Sequence, residues 1–257
     1  MRAIILAAGR GSRLSQSQGP PRPKCLLKFG GVSLLERHLR LLQAAGVTEV
    51  VMALGFEHPL IEAELLRLAA RGLPQPEIFI NERFTLGSVL SVHVVADAMR
   101  QGGDVLLMDA DVLYDARIML ALAGGAAPSN RILIDRDFEA GDEPVKVCVR
   151  DGIPVELRKQ VSPSVQYDTI GESVGFFRFD ERAARRLADL VADYADSGRA
   201  DLPHEETLRD LILERSQVFQ IVDVTAAPWI EIDFPADVER AAREVLPQLV
   251  SLSEEAA

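Results

Sequence analysis

The sequence predicts an α/β domain built on a doubly wound, mostly parallel sheet. Strand-like and helix-like patterns alternate through the first part of the chain, short apolar runs resemble buried parallel strands, and glycines stand where helices should end. A chain of 257 residues can bury one large core without disulfides. Its two cysteines, Cys25 and Cys148, predict free thiols in a reducing cytoplasm.

The first half carries clear element boundaries. The apolar run at 3–7 predicts a first strand, and a loop rich in Gly, Ser and Pro follows it. Ser33, with Glu36 three residues later, is a capping-box pattern that begins a helix, and Gly46 ends it. The later elements are predicted in chain order as strand 49–54, helix 59–70, strand 77–81, helix 88–99 and strand 104–108.

The pattern changes in the second half. Alternating strands are predicted at 131–135, 145–150, 153–158 and 173–179, and Asp151-Gly152 indicates a tight hairpin. Helices 181–194 and 204–213, strand 218–223, an extended segment at 229–233 and a last helix at 235–250 follow. We therefore expect one Rossmann-like domain over 1–257. Its core covers 1–130, a small antiparallel insertion covers about 131–180, and 181–257 returns to the core.

The charge balance limits the partners. The net charge of −11 argues against a dedicated binder of nucleic acid or anionic membranes, but allows one local basic pocket for a small anion. No apolar run approaches the roughly 18 residues of a membrane span. The apolar start is followed at once by Arg10 and Arg13, so it predicts a strand rather than a targeting signal. We expect a cytoplasmic protein without a membrane partner.

The loop after the first strand carries the strongest motif. It reads Leu6-Ala7-Ala8-Gly9-Arg10-Gly11-Ser12-Arg13-Leu14, and Pro23-Lys24 follows further on. Two glycines let the backbone approach a phosphate, and the backbone N–H groups of such a loop can form an anion site. Arg13 adds a cation that can form two hydrogen bonds to a phosphate, and Lys24 adds a compact one. This set of groups suits a triphosphate. The spacing matches neither the P-loop nor the dinucleotide fingerprint.

The whole string resembles the signature of the nucleotidyltransferases that activate sugar phosphates and related phosphoesters, L-A-[AG]-G-x-G-[ST]-R-L followed by P-K. The resemblance implies catalytic roles for two cations: Arg13 would steady the β- and γ-phosphates, and Lys24 would stabilise the α-phosphate in the transition state. It also implies that the nucleotide contacts the residues Leu6, Ala7, Ala8, Gly9, Gly11 and Ser12.

Two acidic segments follow strands. Asp109 and Asp111 flank Ala110 at a strand end, where two carboxylates are costly unless they bind a cation or cap a helix. In the extended segment 229–233, alternation places Glu231 and Asp233 on one face. The resemblance implies that Asp111 and Asp233 hold Mg²⁺. Asp109 is predicted to belong to the nucleotide site, although a helix cap at Asp109 or Asp115 is also expected. Glu231 could either belong to the site or lie on a solvated face.

The loop after the strand at 77–81 is expected to meet the nucleotide. In the resembling family this loop contacts the base, which implies contacts from Asn81, Gly87 and Ser88. Ser88 is at least as well explained as a helix N-cap, and the two roles can coexist.

The insertion resembles the phosphocholine and phosphonate cytidylyltransferases in its Asp135-Arg136-Asp137, Val145-Lys146-Val147 and Gly171-Glu172-Ser173-Val174-Gly175 segments. Lys159 aligns with the family lysine that contacts the acceptor phosphate, but its usual Glu and Pro neighbours are missing, so Arg158 could serve instead. Lys146 and Glu172 are also expected to contact the acceptor. Alternatively, Lys146 could lie on a solvated strand face.

The acidic insertion suggests the chemistry of the acceptor. An acidic wall could receive an amine or quaternary ammonium, with a cation–π face from Phe138, Tyr167 or Trp229. A solvated acidic loop explains most of the acids at 139–143 equally simply.

The prediction is a Mg²⁺-dependent cytidylyltransferase. It would transfer CMP from CTP to a small phosphonate or phosphoester, similar to 2-aminoethylphosphonate or phosphocholine, and release pyrophosphate. Two alternatives stay open: a sugar-1-phosphate nucleotidyltransferase that uses UTP, GTP or dTTP, and a non-catalytic nucleotide-binding regulatory module. A molybdopterin guanylyltransferase is less favoured, since those enzymes place the lysine much closer to the glycines. The apolar last helix could support a homodimer.

Overall fold

The computed structural model describes residues 1–14, 21–125 and 130–250, with Gln217 described by its backbone alone. The strands are β1 (Arg2–Ala7), β2 (Lys28–Phe29), β3 (Val32–Ser33), β4 (Glu49–Leu54), β5 (Glu77–Ile80), β6 (Val105–Asp109), β7 (Val112–Tyr114), β8 (Asn130–Asp135), β9 (Lys146–Arg150), β10 (Ile153–Arg158), β11 (Thr169–Phe179), β12 (Phe219–Asp223) and β13 (Trp229–Glu231).

The α-helices are α1 (Leu34–Ala44), α2 (His58–Ala69), α3 (Val89–His93), α4 (Ala96–Arg100), α5 (Ala116–Ala123), α6 (Glu181–Asp196), α7 (Glu205–Glu214) and α8 (Pro235–Arg240). Short 3₁₀ turns cover Lys24–Leu26, Ser216–Val218 and Leu246–Gln248, and a π-helical turn covers Ala241–Val245. The predicted cap of α1 is confirmed, because Ser33 Oγ accepts a hydrogen bond from the Glu36 N–H at 3.1 Å.

The main sheet confirms the predicted architecture. Its order is β10-β9-β11-β6-β1-β4-β5, and β8 pairs with both β11 and β12. Strands β6, β1, β4 and β5 run parallel to one another, whereas β11 runs antiparallel to β6, β8 and β9. The predicted hairpin joins β9 to β10, with positive φ at Asp151 and Gly152 as a tight two-residue turn requires. The antiparallel strands therefore extend the parallel sheet directly.

Helices cover both faces of the sheet, as a doubly wound fold requires. Alternate side chains of β1 enter opposite cores: Ile4 packs with α3, α4, α6 and α7, while Ala3 and Ile5 pack with α1, α2 and α5. A third, smaller cluster includes Phe29, Leu113, Ile232 and Ala241. This cluster supports the segments that carry the acidic residues of the site.

Two predicted helices differ from the structure. The helix expected at 88–99 is divided into α3 and α4 at Val94 and Val95, two consecutive β-branched residues that favour helix weakly. The last helix expected at 235–250 changes to a π-turn and then a 3₁₀ turn. Pro247 removes a backbone donor and disfavours a continuing α-helix there.

The apolar residues of the last segment pack against their own chain. Ala241 is fully buried, and Val245, Leu246 and Leu249 pack on the third cluster. The homodimer suggested by this segment stays a prediction. None of the described helices is long and apolar enough to cross a membrane.

Candidate active site

A short two-stranded sheet brings the two predicted metal-binding aspartates together. β13 pairs antiparallel with β7, and the Ile232 N–H donates to the Asp111 carbonyl at 3.0 Å. Asp111 stands just before β7 and Asp233 just after β13, so this pairing places both carboxylates at one edge. The predicted alternation also holds, because Ile232 is fully buried in the third cluster while Glu231 and Asp233 face the site.

Lys24 lies between these two aspartates. Its Nζ is 2.8 Å from Asp111 Oδ2 and 2.6 Å from Asp233 Oδ1. Burial alone lowers the pKa of a lysine, but here the two carboxylates outweigh it and raise the pKa of Lys24. The lysine is therefore charged across the whole physiological pH range. Gly11 makes room for it, because a Cβ at Gly11 would lie 3.1 Å from Lys24 Cγ.

Arg13 lies at the opposite side of Asp233. Its guanidinium contacts Asp233 Oδ2 at 2.9 Å and Glu143 Oε2 at 2.7 Å, and it stacks 5.1 Å from the centre of the Phe234 ring. Burial lowers the pKa of Arg13, but Asp233 and Glu143 raise it by more, so the net shift of the pKa is upward. The two cations that the motif assigns to a triphosphate thus share one carboxylate.

The predicted glycine-rich loop lies beside β1 and β4. Leu6 and Ala7 belong to β1, and the Ala8 carbonyl accepts a hydrogen bond from the Phe56 N–H at 3.1 Å. A Cβ on Gly9 would meet nothing within 4 Å, so the backbone at Gly9 faces open space. Ser12 and Arg13 lie in a helical segment that follows the loop. Contact of a nucleotide with these residues stays a prediction.

Asp109 is packed tightly at the end of β6. Burial and the nearby carboxylates of Asp111 and Glu205 raise the pKa of Asp109 well above its usual range. A Cβ on Gly175 would lie 2.6 Å from Asp109 Oδ2, and Gly175 also has a φ of +78°. The alternative role, helix capping, belongs to Asp115, whose Oδ1 accepts from the Arg117 N–H at 3.0 Å.

The 77–81 strand and the following loop make internal contacts. Asn81 is buried, donates to Ser91 Oγ at 3.1 Å and accepts from the Arg83 N–H at 3.0 Å. A Cβ on Gly87 would lie 2.5 Å from the backbone of Asp201, so only glycine fits there. Ser88 Oγ does not cap α3 but accepts from the His204 N–H at 2.8 Å. The expected nucleotide contacts of these three residues stay predictions.

The basic residues of the insertion divide their roles. Lys146 Nζ donates to the carbonyls of Gly141, Pro144 and Lys159 at 2.6, 3.3 and 2.6 Å, which uses all three ammonium donors to hold a loop. Arg158 forms a two-point pair with Glu206 at 3.1 and 2.6 Å. Lys159, by contrast, reaches Glu143 Oε2 at 3.2 Å and therefore lies near Arg13. Acceptor binding by Lys146 and Lys159 stays a prediction.

A cavity of about 550 Å³ opens beside the aspartates. Its walls carry nine carboxylates, Asp135, Asp137, Glu139, Asp142, Glu143, Glu172, Glu231, Asp233 and Asp237. Phe138 and Trp229 also line it, whereas Tyr167 does not. The Trp229 indole N–H donates to Asp135 Oδ2 at 2.8 Å, and burial together with Asp135 raises the pKa of Glu172 to about 7. We call this space the acidic cavity.

Sequence reasoning gave no site contact to three further residues, although it counted Glu143 among the acids of the insertion. Glu143 pairs with Arg13 and Lys159, and Glu205 lines a smaller cavity of about 130 Å³ between Lys159 and Asp109. Asp237 Oδ2 accepts from the N–H groups of Asp233 and Phe234 at 3.0 and 2.7 Å, which orients the Asp233 segment. Pro235 with an acid two residues later is a helix-start signal, so the Asp237 contact could have been found. Nothing local marks Glu143 or Glu205.

The donor set suits a hard divalent cation. One carboxylate oxygen each from Asp111, Glu231 and Asp233 lie within 4.8 Å of one another. Mg²⁺ is usually held by one or two carboxylates plus waters and phosphate oxygens. The residues present therefore fit that ion, and Lys24 Nζ supplies the positive charge between two of them.

Comparison with known proteins identifies the family. The model of the MobA-like NTP transferase domain matches residues 3–166. This match covers more than half of the chain, so the chain belongs to that family, which confirms the nucleotidyltransferase resemblance.

The chain is also similar to three characterised proteins. It is 25% identical over 244 residues to the bifunctional IPC transferase and DIPP synthase of Thermococcus kodakarensis, covering 94% of this chain and 50% of that one. It is 25% identical over 249 residues to the CMP-5′-(3-aminopropyl)phosphonate synthase of Streptomyces rubellomurinus, covering 94% and 38%. The CTP:phosphoglutamine cytidylyltransferase of Campylobacter jejuni is 22% identical over 262 residues, covering 93% and 98%. The chain thus spans half or less of the first two relatives.

Solved structures confirm the fold. The inositol-1-phosphate CTP transferase from T. maritima superposes with a TM-score of 0.76 at 21% identity, covering 100% of this chain and 97% of that one. The CTP:phosphocholine cytidylyltransferase from Streptococcus pneumoniae gives a TM-score of 0.70 at 16% identity, covering 94% and 97%. At these identities the similarity establishes a shared architecture.

Proposed function

Because the chain is a MobA-like NTP transferase, we propose that it transfers CMP from CTP to a small phosphonate or phosphoester and releases pyrophosphate. One observation carries the proposal: Lys24 and Arg13 meet Asp111 and Asp233 beside the β7–β13 pair, so cations and metal-type carboxylates share one site. A pure nucleotide binder has no need of such paired carboxylates. The CTP-dependent names of the relatives support the choice of nucleotide.

The reaction makes modest chemical demands on the protein. An oxygen of the acceptor phosphate or phosphonate forms a bond to the α-phosphorus, while the bond to the departing pyrophosphate breaks. The attacking oxygen is already an anion, so no general base is required. The site must instead hold two polyanions in line and balance the charge that develops between them.

The cations of this chain have separate tasks in that reaction. Arg13 holds the β- and γ-phosphates, and Lys24 donates to the α-phosphate as negative charge develops there. Lys159 holds the acceptor phosphate, since Arg158 is occupied by Glu206 and Lys146 by backbone carbonyls. Asp111 and Asp233 would hold Mg²⁺, which would supply positive charge to neutralise the phosphates during the transfer.

The acidic cavity suits an acceptor that carries an amine or a quaternary ammonium. Its carboxylates face a single lining arginine among the described residues, Arg240, so its electrostatic potential attracts cations. Trp229 adds an aromatic face, held in place by its hydrogen bond to Asp135. An acceptor similar to 2-aminoethylphosphonate or phosphocholine would place its phosphorus at Lys159 and its nitrogen in this cavity.

The decisive experiment is pyrophosphate release with Mg²⁺. Each of CTP, UTP, GTP and dTTP is crossed with 2-aminoethylphosphonate, phosphocholine, inositol phosphate and several sugar-1-phosphates. We expect release with CTP and a nitrogen-bearing acceptor. Release with UTP, GTP or dTTP and a sugar phosphate would contradict the proposal and support the sugar nucleotidyltransferase alternative.

A regulatory module without activity predicts a different result. Such a protein would bind a nucleotide, measured by calorimetry, but release no pyrophosphate with any acceptor. A mock preparation from cells that do not express this chain serves as the control for the positive result, because pyrophosphate release in it would come from a contaminating enzyme.

A further inference from the structure

Six charged side chains alternate in sign across the site. They form an unbroken series of contacts, here called the ion-pair chain, in the order Lys159, Glu143, Arg13, Asp233, Lys24 and Asp111. The three cations are those that the proposed function assigns to phosphate groups. Before any substrate is bound, each of these cations already has a carboxylate partner from the same chain.

Glu143 is the central link for the two substrates. Its Oε2 accepts from Arg13 at 2.7 Å and from Lys159 at 3.2 Å, so one oxygen lies where phosphate oxygens of both substrates should bind. The Lys159 and Arg13 cations lower the pKa of Glu143, which keeps it ionised at neutral pH. Unlike Asp111 and Asp233, it is not one of the carboxylates grouped as a possible metal site.

The loop that carries Glu143 is fastened at its base. Lys146 donates to the carbonyls of Gly141 and Pro144 on either side of it, and to that of Lys159 on the neighbouring strand end. This arrangement fixes the loop backbone near Lys159, while the Glu143 side chain stays 56% exposed. The carboxylate can therefore leave its two cations by rotating its own side chain, without unfolding of the loop.

We propose that Glu143 is a displaceable latch that occupies the phosphate-binding positions of Arg13 and Lys159 and thereby couples the binding of the two substrates. The inference rests on the proposed function for the identity of those substrates. A nucleotide that takes Arg13 must displace Glu143, and an acceptor that takes Lys159 must displace the same carboxylate. Whichever binds first opens the latch.

The two substrates are coupled because both require the same displacement of the Glu143 side chain. If both substrates require the open latch, each one alone must supply the free energy of opening, but the second finds the latch already open. Each substrate therefore tightens the binding of the other by the same factor. Exposed ion pairs are individually weak, so two contacts to one oxygen predict an effect of about three- to tenfold.

The test compares Glu143→Gln with a matched neighbour. Asp142→Asn removes the same charge one residue away, and no ion pair of Asp142 is found among the described residues. Because Asp142 lines the acidic cavity, this control is compared in the absence of the acceptor. The affinity of α,β-methylene-CTP, which cannot be cleaved at the α-phosphorus, is measured by calorimetry with and without 2-aminoethylphosphonate. Inorganic tripolyphosphate is titrated in parallel as a probe that has no base.

The latch predicts a specific pattern. Glu143→Gln should bind both α,β-methylene-CTP and tripolyphosphate about three- to tenfold more tightly than the wild type, and Asp142→Asn should stay within about twofold. In the wild type, 2-aminoethylphosphonate should tighten nucleotide binding at least about threefold, and this effect should disappear in Glu143→Gln. Equal polyanion affinity in Glu143→Gln and Asp142→Asn would overturn the latch, and so would an absence of coupling in the wild type.

These readouts separate the latch from the proposed function. Tripolyphosphate binding reports on Arg13 and Glu143 whatever base the enzyme selects. If Glu143→Gln binds tripolyphosphate more tightly but no CTP-dependent pyrophosphate release occurs, the proposed function is wrong and the latch on Arg13 stands. If CTP turnover occurs and the tightening does not, the function stands and the latch is wrong.

Discussion

The two ends of the site differ in how their charges are balanced. At the nucleotide end, Arg13 and Lys24 each contact carboxylates of the same chain, so positive and negative groups are paired at close range. In the acidic cavity, carboxylates such as Asp137 and Glu172 outnumber the lining arginine Arg240. The first region can exchange its internal carboxylates for phosphates, whereas the second keeps an excess of negative charge beside Arg240. That difference indicates which end of a zwitterionic acceptor each region would hold.

The largest effect is expected from a substitution at the nucleotide end of the site. Lys24→Ala should lower kcat about 100- to 1,000-fold, since it removes the donor to the reacting α-phosphate. The same assay on Lys28→Ala, an exposed lysine on β2, provides the control and should stay within about twofold. Normal turnover by Lys24→Ala, with an unchanged circular dichroism spectrum, would remove Lys24 from the mechanism.

The next largest effect is expected from the packing of Gly175 against Asp109. Gly175→Ala would place a methyl group 2.6 Å from Asp109 Oδ2, at a φ of +78°. Gly152→Ala shares a φ of +77° but meets nothing within 4 Å, so it isolates the cost of the backbone conformation, about 1 kcal/mol. In urea unfolding, Gly175→Ala should lose at least about 1 kcal/mol more than that control. Equal losses would mean that Asp109 moves away freely.

The acidic cavity can be tested by pH. Burial raises the pKa of Glu172 to about 7, so the folded state holds a proton that the unfolded chain releases near the ordinary glutamate value of 4.5. Relative to Glu172→Gln, the wild type should therefore lose stability as pH rises from about 4.5 to 7 and change little above that range. Because the side chain is partly exposed, we expect a difference of about 1–2 kcal/mol at pH 8, and none at pH 4. Urea unfolding of both proteins at the two pH values measures it; a difference independent of pH would contradict the raised pKa.

The smallest effect sharpens the boundary between the two regions. Lys159→Ala should raise the KM for the acceptor about fivefold to tenfold, because its ammonium is placed to hold the acceptor phosphate. Arg158→Ala should leave that KM within about twofold, since Arg158 already pairs with Glu206. Steady-state kinetics with saturating CTP measures both variants. The reverse result would assign the acceptor phosphate to Arg158.

Local chemistry was enough to predict most elements of the fold. The Ser33 cap, the Asp151-Gly152 turn and the buried parallel strands all depend on residues that are close in sequence, and the structure confirms them. The divided helix at Val94–Val95 was missed because weak helix propensity competes with packing that the sequence does not show. The strand β7 was missed because three residues carry too little pattern on their own.

Within the site, the sequence by itself determined the kinds of groups and their local order: the glycine-rich loop, Arg13, Lys24 and the acids after β6. Their distances were decided only by the tertiary structure. Lys24 and Asp233 are 209 positions apart in the chain, and they meet because β13 pairs with β7. Glu143 reaches Arg13 across 130 positions, over a loop that Lys146 holds. Helix caps and turns depend on near neighbours, whereas ion pairs between distant segments depend on which strands pair and how loops return, and no local pattern encodes that choice.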